Sequence, residues 1–183
     1  MKFAKTNLGG ALVIDVEKFS DERGFFARTW CEREFEEHGL ETRLVQCSIS
    51  FNRVAGTLRG LHYQAAPHEE TKVVRCTAGS IFDVIVDLRA DSLTVGRHYS
   101  VVLSSANRRM LYVPRGFAHG FQTLEDDTEV AYQMSQFYQP DSARGVRWDD
   151  PAFAIQWPAA EHRIINERDQ SYPDFGHPLG AGR

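Results

Sequence analysis

Cysteine is scarce here. Cys31, Cys47 and Cys76 are odd in number and widely spaced, which argues against both a disulfide framework and a zinc knuckle. A reducing, cytoplasmic setting is the expectation. Runs of one charge are also missing: 21 basic residues against 25 acidic ones leave a formal charge of −4 with no Lys/Arg cluster, so the electrostatic footprint of nucleic-acid binding is absent. Long apolar runs are lacking as well. The opening "MKFAKTNLGGALVIDVEKF" carries early lysines, but its apolar stretches are too short and broken for a signal h-region or a membrane span. Neither nucleic acid nor a membrane is an expected partner. With 183 residues, 42% of them hydrophobic, and no repeat, low-complexity tract or linker, the chain reads as one domain over residues 1–183. The tail from about Pro173, with its Gly and Pro, is expected to be peripheral and loosely ordered.

Helix signals are sparse and strand signals dense. The best helix is "TWCEREFEEHGL", where Thr29 is placed to cap, Glu32 to complete a capping box and Gly39 to stop the helix. From Thr57 to about Tyr138 the chain becomes short apolar or alternating runs, among them "SIFDVIVDL", "RRMLYVP" and "TEVAYQMSQFY", punctuated by Gly, Pro, Asn and Asp. That pattern indicates a mainly β, antiparallel barrel or sandwich.

Period-two alternation assigns side chains to faces. In "SIFDVIVDL", Phe82, Val84, Val86 and Leu88 share an apolar face, while Ile81, Asp83, Ile85 and Asp87 share a mixed one. A mixed face suits a barrel interior that is part core and part polar pocket, and equally a half-solvated surface. Val130, Tyr132 and Met134 lie together, so Tyr132 points where apolar residues point; a core tyrosine bonded to a backbone carbonyl would read the same. In "KVVRC", Lys72 shares its face with Val74 and Cys76. An inward lysine needs an anionic partner or a task, unless it snorkels out at the strand's end. In "TLRGLHYQ" a strictly extended chain puts Arg59 and His62 on opposite faces. A bulge or kink at Gly60 would bring both to one cavity.

"LYVPRGFAHGFQTL" holds a P-x-G-x-x-H turn, Pro114, Gly116 and His119, between two strands. It resembles the second signature of the cupin superfamily, whose fold is a small jelly-roll barrel with the active site in its mouth. Where many cupins have the H-x-H pair of a metal site, this chain reads His62-Tyr63-Gln64, and His68, Glu69 and Glu70 do not rebuild the ligand spacing. The reading is a metal-free cupin.

The resemblance narrows with "DERGFFART", "QCSISFN", "GTLRGLHYQ", "KVVRCTAGSIFDVIVDLR", "VPRGFAHGFQTL", "YQMSQFYQP", "GVRWDDP" and "IQWP". In order and spacing, from about Phe19 to Asp169, these resemble the dTDP-4-dehydrorhamnose 3,5-epimerase family. The resemblance implies a cytoplasmic, homodimeric jelly roll without metal or organic cofactor, acting on a nucleotide-linked 4-keto-6-deoxyhexose. It implies His62 as base, Asp169 as the carboxylate behind it, Tyr132 as opposing acid and Lys72 as the cation near the C4 oxygen. Arg59, His119, Arg23, Gln46 and Phe19 match substrate-binding positions, and so do Ser48 and Arg168, which differ in residue type. Arg28, Ser48 and Ala143 stand where the family commonly has Glu, Asn and Glu; all bear on recognition and none on proton transfer. A single-carbon epimerase, a ketoisomerase, a non-catalytic nucleotide-sugar-binding cupin and a metal-dependent cupin oxygenase are the alternatives. Trp148 and Trp157 read as core and Asp149–Asp150 as a turn. His38, His68, His98, His162 and His177 receive no role.

Overall fold

A computed structural model describes residues 1–176. Two antiparallel sheets face each other. The first is built from β1 (Lys2–Lys5), β2 (Leu12–Asp15), β5 (Gln46–Asn52), β7 (Lys72–Ala78), β10 (Met110–Val113) and β12 (Thr128–Met134) in the order β1-β2-β10-β7-β12-β5. The second holds β6 (Leu58–Gln64), β8 (Ser80–Asp87), β9 (His98–Ser104), β11 (Phe117–Thr123) and β13 (Ala143–Gly145) in the order β13-β6-β11-β8-β9. β3 (Lys18–Asp21) and β4 (Gly24–Ala27) form a separate hairpin. The mainly β, cupin-type jelly-roll expectation holds. Five strands precede Thr57, where the sequence reading saw none, because four of them are only four residues long and too short to display an alternation.

Between the sheets lies the principal core: Ile81, Ile85, Phe117 and Phe121 from one side meet Val74, Cys76, Leu111 and Val130 from the other. Asp83 enters the same interior from the mixed face of β8. The opposite face of β8 is buried too, because the segment after β13 folds back over Val84 and Val86 with Phe153, Trp157 and Phe175. The start of the tail expected to be peripheral is therefore docked: the Phe175 ring packs tilted at 5.3 Å from that of Phe153, and the Pro173 carbonyl accepts a hydrogen bond from the Arg147 N–H. His177 lies outside the described residues. Trp157 packs on Phe82 and Trp148, and Asp150 closes its turn by accepting the Ala152 N–H, as both were read.

The helix is shorter than its pattern. α1 spans Glu32–Glu37 and begins at Cys31 without a side-chain cap, so Thr29 lies outside it. Glu34 of the first turn instead holds the terminal ammonium of Met1 at 2.6 Å and Arg28 at 2.7 Å. Gly39 does stop the helix: at φ 67 it donates to Glu36, and Leu40 donates to Phe35.

The backbone irregularity expected at Gly60 is present. Gly60 takes φ 129, and the pairing of β6 with β11 shifts register between His119 and Phe121. A side chain cannot enter there, since a Cβ on Gly60 would stand 2.6 Å from the Gly120 Cα. Gly60→Ala is expected to lower the unfolding free energy by roughly 2–4 kcal/mol, measured by urea denaturation; a loss under about 0.5 kcal/mol would show that the backbone there is not constrained.

Candidate active site

The deviation at Gly60 puts Arg59 and His62 into one cavity of about 470 Å³ between the sheets. His62 is paired in register with His119 of β11, so the two imidazoles enter from neighbouring strands. The facing sheet contributes Lys72 from β7, Tyr132 from β12, and Gln46 and Ser48 from β5. A short helix, α2 (Glu167–Gln170), closes the site with Arg168 and Asp169. Nine of the eleven residues assigned catalytic or substrate-binding roles from sequence therefore share one cavity.

α2 is held by its own cap. The Asn166 side chain accepts the Asp169 N–H at 2.7 Å, which is the Asn N-cap geometry that favours helix initiation. Asp169 is 1% exposed and reaches two points of β6: Oδ1 meets His62 Nε2 at 2.7 Å, and Oδ2 accepts the Gly60 N–H at 3.0 Å. Burial alone would raise its pKa, but the His62 contact, the Gly60 N–H and the Arg168 charge outweigh that and hold it below the usual aspartate range. An ionised carboxylate only accepts, so His62 Nε2 carries the hydrogen and Nδ1 is left as the basic nitrogen. The His62 side chain is 41% exposed and can be approached from the cavity.

His119 and Asp83 form a second imidazole–carboxylate contact, 2.8 Å between Nε2 and Oδ1, in very different surroundings. Asp83 is fully buried, and its Oδ2 has no hydrogen-bond partner among the described residues. Burial pushes its pKa up against the opposing pull of His119 and Lys72. The Tyr132 ring stands edge-on to His119 at 6.0 Å. Burial, reinforced by the Asp83 charge, raises its hydroxyl well above the ordinary phenol range, with Arg59 and Ser50 opposing. Tyr132 is therefore a proton-bearing group at neutral pH.

The cations are individually anchored. Arg59 donates through Nε to Asn52 Oδ1 at 2.7 Å, and the Asn52 amide is itself fixed by donating to Ser50 and Thr128 carbonyls. Lys72 lies 2.9 Å from Glu70, both side chains being nearly buried. Arg168 stands over the Tyr172 ring at 5.8 Å. Among the described residues no three His, Cys, Asp or Glu side chains converge as a metal-binding set.

Two named residues are elsewhere. Phe19 and Arg23 sit on the β3–β4 hairpin, 70% exposed and with a side chain 84% exposed, respectively, and neither lines the cavity. Of the three departures from the family pattern, Ser48 and Ala143 line it, whereas Arg28 pairs with Glu34 beyond it. The sequence reading assigned no role to Asp83, Glu70, Asn52 or Tyr172. Asp83 was signalled by its place on the mixed face and Glu70 by standing two residues before an inward lysine; for Asn52 and Tyr172 no local signal existed.

Because the folded-state pKa of Asp169 lies below the ordinary value of 3.8, its ionised form stabilises the fold above that pH. The contribution disappears as the pH falls from the ordinary value through the lowered one. Asp169→Asn is expected to flatten the acid limb of the stability–pH curve below about pH 4, measured by thermal unfolding; an unchanged slope would contradict the lowered pKa.

A family model described as dTDP-4-dehydrorhamnose 3,5-epimerase matches residues 5–177. The dTDP-4-dehydrorhamnose 3,5-epimerase of Methanothermobacter thermautotrophicus is 45% identical over 173 residues, 93% of this chain and 92% of that protein. The crystal structure of the enzyme of that name from Elizabethkingia anophelis matches with a TM-score of 0.92 at 41% identity, covering 96% of each chain. A Legionella pneumophila dTDP-6-deoxy-D-glucose-3,5-epimerase, solved in complex with dTDP-4-keto-L-rhamnose, matches with a TM-score of 0.89 at 36% identity over 94% of this chain and 92% of that one. With such identities sustained over nearly the whole length of each protein, the chain belongs to the dTDP-4-dehydrorhamnose 3,5-epimerase family, a family of isomerases.

Proposed function

We propose that this protein inverts C3 and C5 of dTDP-4-dehydro-6-deoxy-D-glucose to give dTDP-4-dehydro-L-rhamnose, by cofactor-free proton transfer through an enolate. One observation carries the proposal: two unlike proton carriers line the same cavity from facing sheets, His62 backed by Asp169 on one and Tyr132 on the other. Inversion next to a carbonyl needs a base on one face of the carbon and an acid on the opposite face.

In this reading the C4 carbonyl acidifies the hydrogens on C3 and C5. His62 Nδ1 takes the proton, and Asp169 stabilises the imidazolium that forms. Negative charge moves onto the C4 oxygen, where Lys72 stabilises it. Tyr132, kept protonated by burial, returns a proton from the other side, and solvent resets both groups. Arg59, with its planar fork oriented by Asn52, grips the pyrophosphate or sugar. His119, Gln46, Ser48 and Arg168 complete the pocket, and the departures at Ser48 and Ala143 act on recognition rather than chemistry.

The protein is further proposed to work as a cytoplasmic homodimer. Phe19 and Phe26 are 70% and 72% exposed on the hairpin, and Ile49 and Phe51 are 67% and 51% exposed on the rim strand β5. Exposed aromatics of this number call for a covering surface, and Phe19 and Arg23 would then serve the partner's cavity. No helix among the described residues is long and apolar enough to cross a membrane.

Proton NMR in heavy water tests the chemistry. Wild-type protein is expected to exchange both C3 and C5 hydrogens of dTDP-4-dehydro-6-deoxy-D-glucose; exchange at one carbon alone would identify a single-carbon epimerase or ketoisomerase. His62→Ala should slow exchange by about 10²–10⁴-fold while dTDP binding survives, and Tyr132→Phe should impair product formation more than the initial exchange. Near-native exchange by His62→Ala would remove it as the base. Sedimentation equilibrium should give twice the chain mass of 20.8 kDa, and a monomer would remove the shared-cavity role of the hairpin.

A further inference from the structure

Lys72 opens β7 with a side chain only 12% exposed in the cavity wall. A cation withdrawn from water needs a compensating partner. Glu70 provides it, with Oε1 2.9 Å from Nζ and a side chain 10% exposed. Its other oxygen accepts from Gln64 Nε2 at 3.3 Å. Gln64 is fixed in turn, donating to the His68 and Phe137 carbonyls at 3.0 and 3.2 Å and accepting the Gln139 N–H at 2.6 Å. The carboxylate is therefore the end of an anchored chain of contacts from β6.

A second buried carboxyl group lies within electrostatic reach of the same ammonium. Asp83 Oδ1 is occupied by His119, while Oδ2 is buried without a hydrogen-bond partner among the described residues. Lys72 is close enough for its charge to favour the ionised form of Asp83. A flexible four-carbon stem with three rotatable donors would turn toward such an acceptor if nothing restrained it.

We infer that Glu70 is a positioning residue, holding the Lys72 ammonium on the cavity wall and away from Asp83, so that one lysine and one carboxylate remain separately available to a bound sugar. The role of Lys72 in turnover rests on the proposed function; the Glu70–Lys72–Asp83 competition does not. Loss of Glu70 lets Lys72 collapse onto Asp83, which misplaces the cation and neutralises the carboxylate behind His119 in one movement. Misplacement of this kind damages turnover more than affinity.

The test is a double-mutant cycle with Glu70→Ala, Lys72→Met and the double variant, read by turnover of dTDP-4-dehydro-6-deoxy-D-glucose and by calorimetric binding of dTDP. Glu70→Ala is expected to lower kcat by about 10–100-fold with dTDP affinity within about threefold, Glu70→Gln to recover much of the loss because it keeps an oxygen acceptor at the same reach, and Glu70→Ala to add less than about twofold in the Lys72→Met background. Equal effects of Glu70→Ala in both backgrounds, a loss confined to dTDP affinity, or kcat within about twofold of wild type would each overturn the inference. A readout independent of turnover is Lys72 acylation by acetic anhydride, followed by peptide mass spectrometry in wild type, Glu70→Ala and the Glu70→Ala/Asp83→Asn pair. Glu70→Ala should change the Lys72 labelling rate by at least about threefold, and Asp83→Asn should change it again only when Glu70 is absent. Labelling insensitive to Glu70 overturns the inference whatever substrate the protein uses, whereas an unreactive wild type with Glu70-dependent labelling would count against the proposed function alone.

Discussion

A single buried carboxylate ties the site together. Asp169 bonds the Gly60 N–H and the His62 ring at once, so it fixes both the irregular backbone of β6 and the imidazole two residues further on. The backbone contact depends on Gly60 adopting φ 129, and that conformation depends on the absence of a Cβ where Gly120 packs. The same deviation turns Arg59 into the cavity that His62 faces. Asp169 is delivered by a helix of only four residues, held by the Asn166 cap. Site geometry and local backbone geometry are thus one constraint.

The cavity contains two imidazole–carboxylate contacts in unlike environments. Asp169, given the His62 ring, a backbone N–H and a neighbouring guanidinium, is stabilised as an anion; Asp83, fully buried and with one oxygen unpartnered among the described residues, is pushed the other way. Divergent pKa values in one pocket are the usual physical basis for dividing acid and base duties. The cations around them are each held by a specific acceptor, Arg59 by Asn52 and Lys72 by Glu70. Long side chains restrained in advance lose less freedom when an anionic substrate arrives.

The departures from the family pattern are more widely spread than the proton carriers of the proposed function. Ser48 and Ala143 line the cavity on different elements, while Arg28, Phe19 and Arg23 stand outside it near the exposed hairpin. None of the departures from the family pattern falls on a proton carrier of the proposed function, so they leave that centre as it is.

From sequence alone, alternation placed Val74, Cys76 and Lys72 on one face and Ile81, Asp83 and Ile85 on another, and the turn at Pro114–Gly116 led His119 back into a strand. These are local properties, because side chains of a strand alternate whatever the strand pairs with. The likeness of "LRGLHYQ", "GFAHGF" and the neighbouring segments to one family then gave a catalytic or substrate-binding role to nine of the twenty residues that line the cavity. What a local pattern cannot contain is who meets whom. The His62–Asp169 contact joins residues 107 apart, the His119–Asp83 contact depends on β11 lying beside β8, and the outer face of β8 is buried only because a later segment folds over it. The helix start misled for the same reason: Thr29 has the right side chain, but the Met1 ammonium and Arg28 converge on Glu34, and those partners are set by tertiary packing. Hydrogen bonds and ion pairs act over a few ångströms in space, not along the chain, so the sequence by itself determined the strands, their faces and the kinds of chemistry on them, and only the folded arrangement decided which groups became partners.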